Sequence, residues 1–498
     1  MTRPSQYFDV LIVGAGISGI GAACHLRRQC PNMTFAILEM RDDLGGTWDL
    51  FRYPGIRSDS DMYTLGYSFR PWPKPKAIAD GGDIKRYIRD TAREAGVEQH
   101  IRYRHKVLSA NWSSEQCLWQ VSVETDGNKT TTLEARFLFS CSGYYDYDSG
   151  YKPDFGNEAD FSGPVIHPQD WNPALDYRDK RIVVIGSGAT AITLVPALAK
   201  EAKNVVMLQR SPGYVATTAS RDPWVTPLSR VLPESLVYRI LRWKHISLSI
   251  LLYQLAKAFP KQAATTLING VRDALSGHCD VDRHFRPRYK PWDQRVCVVP
   301  EGDFFQAIRE QRASVVTGHI EHFTSNGILL KSGESLDADI IVAATGLKLK
   351  ALGGVALQVD GQDIAVPDCT TYKGMMLSGI PNFFLFMGYS NASWTLKTDL
   401  TARYACRLIN RLHRKGYDYA APKQPEPAVI EQDIMPLSSG YILRGKHLLP
   451  RQGNMRPWKI YQNYLLDRLS LELSPVISDE LTLGQCPQKP SNSSYNIR

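Results

Sequence analysis

Gly14, Gly16 and Gly19 stand at the spacing Gly-x-Gly-x-x-Gly, and Gly186, Gly188 and Ala191 repeat it with alanine last. The chemistry open to such a turn is anion binding. Its first glycine permits a tight bend, its second lets the backbone approach a pyrophosphate, and its third position lets helix close on strand. The helix that starts there adds unpaired N–H groups and a partial positive charge. Glu39 stands 20 residues after Gly19, where a carboxylate accepts from ribose hydroxyls. The second turn is followed instead by Gln209-Arg210-Ser211. A carboxylate there would repel a ribose 2′-phosphate, whereas Arg210 can grip it bidentately with Ser211 donating beside it. The two turns therefore read as an FAD site and an NADPH site. Two dinucleotides in one chain point to electron transfer from one to the other.

Such turns need a strand before them and a helix after. Residues 8–13 are apolar and bounded by glycine, 17–28 read as a helix, and 34–38 as the next strand, which makes a βαβ unit. A second unit has strands at 182–185 and 204–208 with a helix over 189–202, which Pro196 should kink. Apolar runs at 137–141 and 339–344 also end on glycines, Gly143 and Gly346. The predicted class is α/β, with two Rossmann-like dinucleotide-binding domains and a helical insertion. The expected division is 1–144 as the first part of the FAD-binding domain and 145–334 as the NADP-binding domain, with the insertion at about 234–276. Residues 335–498 then hold the second FAD part and the C-terminal region. The tail from about Gln485, rich in Pro, Ser and Asn, is expected to fray.

A chain of 498 residues supports about two or three domains. Its net charge of +9 suits anionic cofactors. The basic residues are dispersed without a nucleic-acid motif, so no nucleic-acid partner is expected. Nine cysteines without a Cys-x-x-Cys pair argue for a reducing compartment and against a disulfide scaffold, a redox disulfide or a metal site. The strand pattern begins within about ten residues, leaving no room for a signal peptide, so a cytoplasmic location is expected. Residues 246–259 are mostly apolar but contain Gln254 and Lys257, and they are too short to span a hydrocarbon core of about 30 Å. An amphipathic helix packed on the protein is the expectation, with peripheral membrane contact as the alternative. No feature of the sequence specifies the oligomeric state.

Two longer motifs remain. Gly45-Gly46-Thr47-Trp48 is followed by Tyr53-Pro54-Gly55 and Asp59, and Phe161, Gly163, His167 and Trp171 lie between the two glycine turns. Together with 51–55 and 391–397, these stretches resemble the type I Baeyer–Villiger monooxygenases of the flavin-containing monooxygenase superfamily, over almost the whole chain. One position departs: Asn172 follows Trp171, where the family has Pro or Asp. The nitrogen- and sulfur-oxygenating branch has Tyr-Lys at that point, so Trp171 favours the Baeyer–Villiger branch.

The resemblance implies that NADPH reduces FAD and that O₂ is taken up as a C4a-peroxyflavin. A ketone is then converted to an ester or lactone, with thioether sulfoxidation as a side activity. Arg295 matches the family's active-site arginine, which would stabilise the negative oxygen. Gln294 stands where the family often has lysine, so Arg210 must bear more of the NADPH selectivity. Asp59 matches the aspartate that orients this arginine, and a helix N-cap is the other role its Ser58–Asp59–Ser60 context allows. Gly46 and Trp48 belong to the flavin side. Phe161, Gly163, His167 and Trp171 form a linker motif, in which His167 and Trp171 couple domain rotation to cofactor binding rather than serve as acid or base. The substrate pocket is expected from 63–72, 286–292 and 391–397.

Other classes compete. A flavoprotein acting mainly on sulfur or nitrogen is disfavoured by Arg295 and Trp171. A flavin disulfide reductase lacks its cysteine pair here. A dinucleotide-binding sensor would have no use for the flavin-side motif over 45–59.

Overall fold

The computed structural model describes residues 6–487. The expected fraying of the tail beyond Pro487 lies outside the described residues.

Strand Gln6–Val13 is buried along its last six residues, so both of its faces need cover, as in a parallel sheet flanked by helices. It pairs parallel with Phe35–Leu38, in the register Val10 to Phe35 and Ile12 to Ile37. On its other side it pairs parallel with Lys129–Ser140. Helix Ile17–Gln29 makes the crossover and buries Ile20, Ala23 and Leu26. The sheet has nine strands. Its remote flank is an antiparallel meander of Lys106–Ser113, Leu118–Thr125 and Lys129–Ser140. Chain from beyond the second unit completes it: Ala356–Val359 adds beside Lys106–Ser113, and Phe383–Leu385 beside Lys129–Ser140.

A second sheet has five parallel strands, in the order Ala313–Thr317, Asn204–Gln209, Arg181–Ile185, Ile340–Ala343 and Val165–Ile166. The expected boundary at residue 335 is therefore corrected. Ile340–Ala343 pairs with Arg181–Ile185 residue for residue, so it belongs to the second sheet. Its apolar pattern fits either parallel sheet, and only pairing decides between them. The helix after the second turn is Ala189–Leu198, shorter than the expected 189–202. Pro196 sits in its last turn, where it removes one bond to the preceding turn while the helix runs on to Leu198.

The insertion forms two helices, Glu234–Ala258 and Pro260–Leu275, broken at Phe259 before a proline. The first docks on the first sheet's unit through its N-terminal half. Arg242, buried, donates to the carbonyls of Tyr63 at 2.6 Å and Gly66 at 2.8 Å, and the Tyr238 hydroxyl donates to Tyr67. No helix among the described residues is long and apolar enough to cross a membrane.

Candidate active site and dinucleotide cradles

At the first turn a Cβ on Gly14 would lie 2.8 Å from the Cys141 carbonyl oxygen, and Gly14 has φ +99°. A Cβ on Gly19 would lie 1.9 Å from the Gly14 carbonyl oxygen. Gly16 differs: a Cβ there would only touch Gly46, at 3.6 Å. Gly46 itself backs onto Gly16, so the two glycine loops meet with no side chain between them. The helix beyond has no side-chain cap and no acid in its first turn. Its N–H groups and positive end are left for a phosphate. Glu39 is buried, and its carboxylate accepts from Ala15 N at 2.8 Å and Arg41 N at 3.0 Å. Burial raises its pKa against those two hydrogen bonds. Each oxygen keeps lone pairs for a ribose hydroxyl. This cradle fits the FAD read from sequence.

The second cradle repeats the pattern. Gly188 has open space where a Cβ would be, and helix Ala189–Leu198 is also uncapped and free of acid in its first turn. The Ser187 hydroxyl donates to the Ser211 carbonyl at 3.1 Å, which pins Arg210 and Ser211 beside the turn. A Cβ on Gly186 would lie 2.3 Å from the Ala344 carbonyl oxygen, so the neighbouring strand end closes against the turn. Ala191 is buried in the core behind it. Arg210 is exposed and makes no ion pair among the described residues. The cradle fits a 2′-phosphorylated dinucleotide.

The first cradle opens on a cavity of about 330 Å³ that reaches the start of the second unit's helix but not Gly186, Gly188, Arg210 or Ser211. Gly14, Gly16, Glu39, Gly46, Trp48, Asp59 and Arg295 line it, and so do Ala189 and Thr190 from the start of the second helix. Arg295 Nη1 donates to Asp59 Oδ2 at 2.8 Å. The ion pair expected from the resemblance is thus formed across 236 residues. Asp59 lines the cavity with its side chain 43% exposed. It does not cap the following helix: Asp61 does so, accepting from Thr64 N at 3.0 Å. Burial disfavours the Arg295 charge, but Asp59 and the surrounding phenols outweigh it and hold the pKa above the usual guanidinium value. The cation persists at every working pH.

The Arg295 loop is held from two sides. Lys257 of the insertion pairs with Asp293 at 3.1 Å, and Ser438 donates through its N–H and hydroxyl to the Asp293 carbonyl. The segment carrying Asp59 is fixed as well. Phe51 and Tyr53 pack in the second unit's core with Trp171, and Arg57 forms a two-point pair with Asp303.

The pocket walls differ from those expected. Leu65, Ala392 and Trp394 do line the cavity. Tyr63 and Trp72 are core residues, and Tyr289 packs edge-on to Tyr214. No residue of 286–292 lines the cavity. The aromatic wall comes instead from Tyr144 and Tyr145, whose hydroxyls are 3.1 Å apart, with Trp394 and Tyr441 beside them. Burial raises all three tyrosine pKa values, keeping the phenols neutral. These tyrosines follow a strand end or sit in a remote short helix, so no local spacing signals them.

The linker motif spans the two units. Phe161 packs on Phe323, and a Cβ on Gly163 would lie 2.3 Å from the Asp339 carbonyl oxygen. Both His167 nitrogens are occupied: Nδ1 accepts from Gln169 N at 3.1 Å, and Nε2 donates to the Gly346 carbonyl at 3.0 Å. Burial lowers its pKa, which suits the neutral ring. Asn172 turns away into its own loop, accepting from Ala174 N. No group of metal-ligating side chains is present among the described residues.

A family model described as flavin-binding monooxygenase-like matches residues 8–263. The FAD-containing monooxygenase EthA of Mycobacterium tuberculosis is 50% identical over 97% of this chain and 99% of its own. A probable FAD-binding monooxygenase, AlmA of Acinetobacter sp, is 49% identical over 93% and 94%. An oxidised steroid monooxygenase bound to NADP superposes with a TM-score of 0.76 at 21% identity, over 96% of this chain and all of that one. An OTEMO complex with FAD and NADP gives 0.70 at 22%, over 84% and 87%.

Proposed function

This chain belongs to the flavin-binding monooxygenase-like family, and from that premise we propose an NADPH-dependent Baeyer–Villiger monooxygenase that converts ketones to esters or lactones. Sulfoxidation of thioethers is its side activity. FAD supplies the oxygen-activating chemistry when bound at the first turn, and NADPH at the second supplies the hydride. The FAD-binding unit is assigned to 1–144 and the chain after 344, and the NADP-binding unit to the residues between.

The observation that carries this reading is the Arg295–Asp59 pair in the cavity that joins the first cradle to the start of the second unit's helix. Attack of oxygen on a carbonyl places negative charge on oxygen, first on the attacking atom and then on the former carbonyl. A fixed cation stabilises both. Asp59 holds the guanidinium at Nη1, leaving its other N–H groups available, and Arg295 Nε is buried without a partner. The neutral Tyr144, Tyr145 and Tyr441 hydroxyls close the wall beside it without adding negative charge. The reading is tested by presenting a ketone and a thioether together and measuring both products, with and without Arg295.

His167 acts as a tether. It joins the linker motif to the end of strand Ile340–Ala343 through Gly346, next to the second cradle. His167→Ala is expected to keep FAD but release NADP⁺ early, so that NADPH is oxidised without matching product. The check is the ratio of product formed to NADPH consumed. Full coupling in the variant refutes the tether.

A residue that local spacing did not mark also belongs to the NADPH site. Arg444 comes from helix Gly440–Gly445, in the C-terminal part of the chain. Its guanidinium stacks 3.5 Å from the Tyr151 ring centroid, and its Nη2 would lie 3.3 Å from a Cβ on Gly346. Partial burial and the like charge of Arg210 lower its pKa. Strand Arg181–Ile185, which leads into the glycine turn, lies between the strand that ends at Gln209, just before Arg210, and the strand that ends at Ala343, near Gly346. The two cations thus flank the turn, Arg210 toward the 2′-phosphate and Arg444 toward the pyrophosphate. Arg210→Ala should weaken 2′,5′-ADP about 10- to 100-fold and leave NAD⁺ nearly unchanged. Arg444→Ala should weaken NADP⁺ and NAD⁺ alike. Calorimetric titration distinguishes the two patterns.

A further inference from the structure

The cysteines stand far apart along the chain, but folding brings two of them together beside the antiparallel meander of the first sheet. Cys117 closes the turn between strands Lys106–Ser113 and Leu118–Thr125, in the left-handed region at φ +52°. Cys486 follows the C-terminal strand Leu481–Gly484. Both sulfurs approach neighbouring carbonyls of that one turn: Cys117 Sγ lies 3.7 Å from the Ser114 oxygen, and Cys486 Sγ 3.0 Å from the Glu115 oxygen. The Cys117 thiol also has the Cys486 side chain as a hydrogen-bond partner. Both backbones are fixed. On the turn, Ser114 N donates to Asp360 and Gln116 N to Ser113. On the tail, Cys486 N donates to Asp418 Oδ2 at 2.9 Å, and Asp418 N donates to the Gly484 carbonyl at 2.8 Å. Arg136 holds the other Asp418 oxygen at 3.1 Å.

Access separates this pair from another. Cys30 and Cys406 are also hydrogen-bonded to each other, but both are buried in the core. Cys117 is buried too, whereas Cys486 is partly exposed, so an oxidant can reach one sulfur of the pair. We propose that Cys117 and Cys486 are a modification site: a reversible disulfide that forms when the folded enzyme meets hydrogen peroxide and staples the C-terminal strand to the first sheet. The Cys486 thiolate attacks one peroxide oxygen. The S–O bond forms, the O–O bond breaks, and the departing hydroxide takes up the proton that Cys486 gave up, making water. The Cys117 sulfur then attacks the sulfenic sulfur of Cys486. The S–S bond forms, the S–O bond breaks, and the Cys117 proton leaves with that oxygen as a second water. Two thiols are thus oxidised and one peroxide is reduced. Burial pushes the Cys117 thiol up to about 12, so it stays protonated and reacts second. A reducing thiol reverses the bond. The link joins the last strand to the first sheet and raises stability by restricting the unfolded chain. Neither cysteine lines the main cavity, so the inference stands apart from the reaction assigned above.

The test exposes the FAD-loaded enzyme to hydrogen peroxide and removes the excess with catalase. Remaining thiols are then blocked with iodoacetamide under denaturing conditions, and the peptides are read by mass spectrometry. The expected product is a cross-linked Cys117–Cys486 peptide that dithiothreitol cleaves, with Cys30 and Cys406 still alkylated. The thermal midpoint should rise on oxidation and fall back on reduction, while turnover is unchanged. Cys486→Ser should abolish both the cross-link and the rise in midpoint, leaving Cys117 alkylated. Cys117→Ser should stop the reaction at the Cys486 sulfenic acid, which dimedone captures. Because Cys117 is buried, Cys117→Ala takes its place should the serine variant lose its flavin. Survival of both thiols in peroxide-treated wild type would overturn the proposal. So would a cross-link that appears only after unfolding, or one that joins either residue to a different cysteine. A Cys117–Cys486 link that leaves the midpoint unmoved would overturn the staple.

Discussion

Arg295→Ala is expected to lower ester or lactone formation by about 10²- to 10³-fold, with FAD still bound and the fold unchanged. The size follows from the preorganisation of the cation. Asp59 fixes Nη1 at 2.8 Å, and Lys257 and Ser438 hold Asp293 two residues earlier in the same loop, so little reorganisation is required when charge develops on oxygen. Alanine leaves that charge facing neutral phenols. Sulfur attack moves less negative charge onto the substrate-side oxygen, so sulfoxide formation should fall far less. The informative readout is the ester-to-sulfoxide ratio with both substrates present. A selective loss of ester supports the role, and unchanged ester formation removes Arg295 from the mechanism. Asp59→Asn should fall between the two, because it keeps a hydrogen-bond acceptor but loses the charge.

Gly19→Ala is the second large effect, and Gly16→Ala is its counterpart. At Gly19 the new methyl would lie 1.9 Å from a backbone oxygen of the same turn, with Cys141 Cβ at 3.5 Å. Backbone on one side and core on the other leave no cheap relief, so helix Ile17–Gln29 must move off its strand. A loss of about 3 kcal/mol or more is expected, with FAD binding abolished. At Gly16 the methyl meets only Gly46, at an ordinary contact distance, and otherwise faces the cavity. That variant should unfold at the wild-type temperature without cofactor, yet bind FAD far more weakly, because the methyl occupies the pyrophosphate's approach. Thermal melts of the apoprotein and flavin titrations separate the two. Wild-type FAD affinity in Gly19→Ala would show that the turn does not carry the site.

Both experiments bear on features that differ in how far they could be read along the chain. The two glycine turns, their strands and helices, and the contrast of Glu39 with Arg210 were legible because each rests on residues within about 30 positions. There hydrophobic period and backbone sterics act locally. The pairing of Arg295 with Asp59 was legible only through family resemblance, since nothing local links residues 236 apart. The cap shows a similar limit: Ser58, Asp59, Ser60 and Asp61 are all competent, and the helix start at Met62 selects Asp61.

The sequence by itself determined two dinucleotide cradles, their order, and the sign of charge at each ribose, because a turn of six residues and the acid or base after the next strand are local chemistry. Tertiary structure alone decided that strand Ile340–Ala343 joins the second sheet. It also decided that Tyr144, Tyr145 and Tyr441, rather than 286–292, stand beside Arg295. Finally, it decided that Cys117 faces Cys486. Each of these depends on which surfaces meet across more than a hundred residues, and an apolar strand or stripe is equally satisfied by any partner of the right shape until packing chooses one.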